Sequence, residues 1–282
     1  MAQLGDGAEK RIVFLAGPPS HGPREHEHRA GCLLLQACLA GVRGLSSIVY
    51  SNGWPDDPHR AFTNVAAIVV YADGESNHPF FQGHRLSLVA ELMHRGVGLV
   101  CLHYALVPPP DVGREQLLEW IGASYEAHWS VNPVWEADFK VLPRHPITRG
   151  VRPFRIRDEW YFHMRFREGM RGVTPILSAV PPLSTMDRPD GPHTGNPAVR
   201  EAVRRRDPQH VAWAYERPNG GRGFGFTGGH FHDNWAHDDF RKLVLNAILW
   251  VARLEVPEQG VESHVARTLL NANLDPKPHT GQ

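Results

Sequence analysis

Cysteine is scarce: Cys32, Cys38 and Cys101 are the only three in 282 residues. All sit within hydrophobic stretches, and three cannot all pair with one another, so a disulfide scaffold is excluded and a reducing setting is expected. Long apolar runs are missing too. The nearest, Val65 to Ala72, falls well short of the ~18 residues that span a bilayer. Charge of one sign is not in excess, since 30 basic and 30 acidic side chains cancel. With no Lys/Arg run either, sequence-independent binding to nucleic acid or to a membrane surface lacks its clustered cations. The opening MAQLGDGAEK lacks the charged, apolar, small-residue succession of an export signal, so a cytoplasmic protein is expected. A small neutral partner fits this charge balance, and self-association into a homo-oligomer stays open.

Histidine is what the chain has in abundance, 18 of them, several close together and beside Gly, Trp or carboxylates. The framework that carries them alternates short β-branched runs with helical patterns, the mark of βαβ units and a parallel sheet. Strands are expected over Arg11 to Ala16, Ser47 to Tyr50, Ala66 to Tyr71 and Gly98 to His103, with helices over Gly31 to Ala40 and Phe80 to Arg95. From about Val134 shorter extended pieces follow: Phe139 to Leu142, Ile176 to Val180, Val211 to Tyr215 and Gly223 to Thr227. These extend the sheet with antiparallel strands. The stretch Pro181 to Asp207, rich in Pro, Gly, Asp and Arg, reads as a mobile loop or lid. A helix over Asp238 to Leu254 closes a single α/β domain of residues 9–257, and 258–282 form a polar extension with an apolar patch at Leu269 and Leu270.

In open parallel sheets ligands bind at the carboxyl ends of the strands, and three histidine groups fall there. PPSHGPREHEH follows the first strand with His21, His26 and His28; CLHYA ends the fourth with His103; GFGFTGG runs into HFHDNW with His230 and His232. A catalytic zinc site needs three protein ligands and an open position, which three strand ends supply. Each group also has a plainer reading: a solvated loop for the first, a hydrogen-bonded core residue for His103, a tight backbone approach at Gly228-Gly229 for His230. The convergence of the three, more than any single spacing, points to a metal.

RDEWYFHMRF adds Asp158 and Glu159 beside Trp160, Tyr161 and Arg165. Strand neighbours face opposite ways, so one carboxylate at most meets the cleft, and Glu159 is taken as the candidate acid or base. YEAHWSVNP, with His128, Trp129, Ser130 and Asn132, mixes an aromatic face with donors, as sugar sites do and as ordinary packed loops do. Cys101 invites comparison with a nucleophile elbow, but Val100, Leu102 and His103 are too bulky for one, so a buried small hydrophobe is expected. GGRGFGFTGG lacks the spacing of a phosphate loop and precedes a strand.

Taken together, SHGPREHEH, GVGLVCLHYA, HPITRGV, DEWYFHMRF, GRGFGFTGGHFHDNW and the tail LNANLDPK resemble the ThuA-like family, named for trehalose utilisation. The strand reading CLHYA looks like a subgroup distinct from the trehalose-utilisation proteins proper. The resemblance implies a flavodoxin-like, doubly wound, mainly parallel α/β sheet similar to class I glutamine amidotransferases, an altered elbow and a zinc site. It carries His103, Glu159 and His230 onto the family's motif positions, with His26 beside them, and implies a disaccharide or 3-keto-sugar as substrate.

The expectation is therefore a metal-dependent hydrolase or lyase on a sugar or 3-keto-sugar, not a cysteine-nucleophile amidotransferase. Zn2+ or another divalent transition metal would be held by His26, His103 and His230 and would polarise a substrate oxygen or activate water. Glu159 would move the proton, with Tyr161 and His232 as further catalytic candidates. Asn132, Arg165, Trp129, Tyr104 and Trp235 would hold the sugar. The alternative from another class is a carbohydrate-binding or regulatory module that keeps the fold without chemistry.

Overall fold

The computed structural model describes residues 9–278. In chain order its strands are β1 Lys10–Ala16, β2 Leu45–Tyr50, β3 Val65–Tyr71, β4 Gly98–Leu102, β5 Ala123–Ser124, β6 Trp135–Phe139, β7 Phe154–Asp158, β8 Arg165–Phe166, β9 Val173–Ala179, β10 Gln209–Glu216 and β11 Arg222–Phe226. The helices are α1 His28–Leu39, α2 Pro58–Ala61, α3 Arg85–His94, α4 Arg114–Trp120, α5 Pro197–Arg204, α6 Asp238–Val251 and α7 Arg267–Leu270. None of them is long and apolar enough to cross a membrane.

Seven strands form the main sheet in the order β2-β1-β3-β4-β11-β10-β9. The first five run parallel, and β10 and β9 add on antiparallel. The order at the β2 end is that of flavodoxin-like sheets, whose switch point lies between β1 and β3. Because strand side chains alternate, each strand feeds two cores. Ile12, Phe14, Val69, Tyr71, Val100 and Leu102 pack with α1 and α6 on one face. Val13, Leu15, Ile68, Val70, Leu99 and Cys101 pack with α3 and α4 on the other. Both faces are covered, which is why these strands read as continuous apolar runs.

Three expected elements differ. The strand placed at Phe139 to Leu142 lies earlier, as β6, where Trp135, Ala137 and Phe139 turn inward and Glu136 and Asp138 outward; that alternation outweighs the apolar count of Val141-Leu142. Helix α3 starts at Arg85 instead of Phe80, because Phe80 is buried in the preceding turn and Gly83 takes a left-handed φ of 55°. The stretch 181–207 carries a capped helix, α5, where the composition suggested loop throughout. Asn196 caps α5 by accepting from the Val199 amide, Pro197 opens it, and Val199, Ala202 and Val203 are buried. The composition count missed three apolar residues placed at helical spacing.

Candidate metal centre at the sheet edge

Loops from the carboxyl ends of β1, β3, β4, β7 and β11 meet above the switch point. The β1 and β11 loops are zipped together: the His26 amide donates to the His230 carbonyl at 3.0 Å and the His232 amide to the Arg24 carbonyl at 2.8 Å. Gly229 allows this crossing, since its φ of 108° is closed to most side chains. Its amide and that of His230 both donate to the buried Asp158 carboxylate, at 2.7 and 3.0 Å. Asp158 also accepts from the Glu159 amide at 2.8 Å. One buried carboxylate thus fixes the backbone that carries two of the site's side chains, His230 and Glu159.

His26, His103, His230 and Glu159 offer ligand atoms all within 4.8 Å of one another, a group able to hold a metal ion. His26 Nε2 lies 3.1 Å from His103 Nε2 and 3.0 Å from His230 Nδ1. Glu159 Oε2 is 3.3 Å from both His103 Nε2 and His230 Nδ1. Ligand atoms around a tetrahedral ion with bonds of about 2.0–2.1 Å stand roughly 3.3 Å apart, and these four of the six separations lie near that value.

The tautomers argue the same way. His103 Nδ1 donates to the Thr227 carbonyl at 2.8 Å, and His26 Nδ1 donates to Asp73 Oδ1 at 2.8 Å. A carbonyl and a carboxylate only accept, so in the neutral rings both Nε2 atoms are lone pairs. Two lone pairs facing each other in a buried site repel unless a cation or a proton lies between them. The Asp73–His26 pairing is also the outer-shell arrangement that orients metal-binding imidazoles. The residues therefore fit a divalent transition ion held by the nitrogens of His26, His103 and His230, with the Glu159 carboxylate beside the fourth position, which a catalytic ion keeps open.

Electrostatics sharpen the picture. Burial drives the His26 imidazole far below the ordinary histidine range, and the neighbouring His103, His28, His21 and His230 add to the effect. Burial alone would raise the Glu159 carboxyl, but hydrogen bonds and charge from His103 and His230 hold it down at about 2. Burial lowers His230, yet Glu159 outweighs it and leaves this imidazole raised. The Tyr161 hydroxyl sits 3.2 Å from His103 Nε2, and burial together with Glu159 pushes its pKa well up, so it stays protonated.

His103 follows β4 with φ 54°, so the left-handed position after this strand holds an imidazole. Cys101 lies two residues back, inside β4 and fully buried, its thiol pushed up by burial.

A cavity of about 90 Å³ opens beside the cluster, lined among others by Tyr104, Tyr125, Asn132, Glu159, Tyr161 and His193. A larger groove of about 440 Å³ shares Asn132 and Glu159 and continues past Pro133, Ser184 and Arg188. Asn132 Nδ2 donates to Glu159 Oε1 at 3.2 Å, so this amide stands beside the cluster. Tyr104 lines the same cavity, its phenol raised to about 12 by burial and Glu75.

Four expected residues fall elsewhere. Arg165 donates to both oxygens of Glu126, at 2.9 and 3.0 Å, and its guanidinium lies 3.5 Å from the Trp129 ring centroid. Neither Arg165 nor Trp129 lines the cavity or the groove. His232 turns away, bonded through Nε2 to the Leu270 carbonyl at 2.8 Å. Trp235 is fully buried, packed edge-on against Tyr71 and Phe240, and has no free face for a sugar. Sequence reasoning missed Asp73, His193 and Arg188. Asp73 had a readable signal, a carboxylate two residues past the apolar strand β3.

The sequence profile of the ThuA family, described as trehalose utilisation, matches residues 60–251. That span contains His103, Glu159 and His230 and leaves out His26. Among solved structures, a ThuA-like protein of Bacteroides uniformis ATCC 8492 is similar with a TM-score of 0.59, 15% identity, and 89% of this chain and 94% of that one covered. A ThuA-like protein of Parabacteroides merdae ATCC 43184 gives 0.54 at 14% identity, covering 92% of this chain and 94% of that one. At these identities the likeness is one of fold. The glutaminase domain of Trypanosoma brucei CTPS follows at 0.45 and 10% identity over 89% of this chain and 97% of that one. Among curated proteins none matches the chain.

Proposed function

The chain belongs to the ThuA family, implicated in trehalose utilisation, and on that premise we propose that it is a metal-dependent enzyme acting on a sugar or 3-keto-sugar. The observation that carries this reading is the facing pair of imidazole nitrogens, His26 Nε2 and His103 Nε2, at 3.1 Å with His230 Nδ1 and Glu159 Oε2 beside them. A divalent transition ion such as zinc, bound there, would act as a Lewis acid on a substrate oxygen.

The chain's own side chains supply the rest. Asp73 holds His26 in the tautomer that presents Nε2, and the Thr227 carbonyl does the same for His103. Glu159, ionised across the physiological range, starts turnover as a proton acceptor. In a 3-keto-glycoside the ketone acidifies the proton at C2. Glu159 takes that proton, and the C–H electron pair moves into a C2–C3 double bond with negative charge on the C3 oxygen. When this charge collapses back to the ketone, the C2–C3 pair shifts into a C1–C2 double bond, the bond from C1 to its oxygen substituent breaks with its electron pair on that oxygen, and the leaving oxygen takes the proton from Glu159. The Tyr161 hydroxyl, kept neutral by its burial, is a donor for the developing negative charge. Tyr104 and Asn132 offer hydroxyl and amide groups to the sugar from the cavity wall.

Elemental analysis by mass spectrometry on protein prepared without a histidine tag tests the metal. About one transition ion per chain, lost in His103→Ala and His230→Ala, is expected. A folded wild type that holds none after metal is added back would overturn the reading. Bound sugar with no turnover in the metal-loaded protein would move the assignment to a binding module.

A further inference from the structure

We propose that the groove beside the cluster takes a sugar bearing an anionic group, carboxylate or phosphate, and that Arg188 is the residue that selects for it. The inference rests on the reading of this groove as the substrate site.

Arg188 is half-buried in the groove wall. The side-chain hydrogen bond its guanidinium makes is from Nη2 to Asn132 Oδ1, at 3.2 Å. Among the described residues no carboxylate lies within ion-pair distance of it, whereas the other arginines near the site are matched: Arg165 with Glu126, Arg200 with Asp190, Arg24 with Asp233. Glu136, the other carboxylate along this groove besides Glu159, is turned to Arg155 at 3.5 Å. A half-desolvated guanidinium without a counter-charge has up to five donors, most of them still open, and carboxylate and phosphate are the groups whose geometry matches that fork.

The arginine is also held in place before any ligand arrives. The Arg188 carbonyl accepts from Arg200, which at the same time donates to Asp190 at 2.7 Å and to the Met186 carbonyl at 2.6 Å. Further on, the Pro192 and His193 carbonyls accept from the His128 and Asn132 amides, at 2.7 and 3.1 Å. Asn132 then links the two ends of the groove, since its oxygen accepts from Arg188 and its nitrogen donates to Glu159. An anionic group on Arg188 therefore lies one amide away from the carboxylate at the metal-holding group. Ser184, exposed in the same wall with no side-chain hydrogen bond among the described residues, gives a further donor.

Calorimetric titration of the metal-loaded full chain with glucose, glucuronate and glucose 6-phosphate tests this. At least one of the two anions should bind about tenfold more tightly than glucose, as expected for a charge-assisted contact, and the advantage should shrink as salt is raised. Which anion wins separates carboxylate from phosphate. Arg188→Met should level the anion with glucose, and Arg188→Lys should keep part of the preference, with metal content unchanged in both. Glucose binding as tightly as both anions, no binding by either anion, or a preference that survives Arg188→Met would overturn the proposal. Repeating the titrations on metal-stripped protein keeps the two readings apart: a chain that holds no metal defeats the proposed chemistry, while the anion preference is still measured.

Discussion

His26 and His103 aim their Nε2 atoms at each other across 3.1 Å, with both Nδ1 protons committed to acceptors elsewhere. The Asp73 carboxylate is what commits the first of them. Asp73→Asn removes the charge behind His26, and outer-shell substitutions of this kind typically weaken metal binding about 10- to 100-fold. Titration against a chelator of known affinity should show that loss, with an unchanged circular dichroism spectrum. Unaltered metal affinity would mean that Asp73 does not support a metal-binding imidazole.

Glu159 and Tyr161 should separate kinetically. Removing a general base typically lowers the rate about 10²- to 10⁴-fold, so Glu159→Gln should cost that much in kcat on a 3-keto-glycoside. Tyr161→Phe should cost less and keep the metal, since its hydroxyl stands 3.2 Å from His103 Nε2 as a donor. Steady-state rates on wild type and both variants check this. Equal activity in all three would remove both residues from the chemistry.

Acid should unfold the chain through its buried imidazoles. His78 is fully buried and lowered to about 4 by burial, partly offset by its bond to the Ala105 carbonyl at 3.0 Å. In the unfolded chain it titrates near 6.5, so between those values the unfolded state binds the extra proton. Stability therefore rises with pH across that window and falls as pH drops from about 6.5 to 4, by up to about 1.4 kcal/mol per pH unit for one such group. His28 and His145, also lowered to about 4 by burial, act in the same direction. Urea melts at several pH values should give a shallower slope for His78→Gln by about one proton. An unchanged slope would show that His78 does not titrate in that range.

How far the sequence led depends on which physical signal each part carried. Strands β1, β3 and β4 were legible because both their faces are buried, so Ile12 to Ala16, Val65 to Tyr71 and Leu99 to Leu102 are unbroken apolar runs. The convergence of His26, His103 and His230 followed from strand ends, which topology brings together. What stayed hidden was decided by side-chain partners far apart in the chain. Arg165 reads as free in the sequence, yet Glu126, 39 residues away, claims it, and Arg188 reads as one more loop arginine, yet among the described residues it bonds Asn132 and pairs with no carboxylate. His232 sits two residues from His230 and faces the opposite way, because a tight turn starts between them.

Lys277 and Glu27 form an ion pair at 3.3 Å with side chains only 3% and 1% exposed. Glu27 also accepts from the Arg24 and Asp275 amides, at 3.0 and 2.9 Å, and so ties the histidine-bearing loop to the tail. Lys277→Met leaves a buried carboxylate without its cation, at a cost of about 3–5 kcal/mol. The double variant with Glu27→Gln should recover part of that in denaturant melts. A single variant as stable as wild type would show the pair to be energetically idle.

The tail's grip sets a timetable. Arg24 reaches Asn271, Arg29 reaches the Asn273 carbonyl, and Lys277 reaches both Glu25 and Glu27. The loop around His26 is made early, and its clasp is made only after every strand of the sheet. On the ribosome that loop waits, without its fastening, for some 250 residues to follow it. A chain cut before Asn271 would keep every strand of the sheet and have an unfastened mouth.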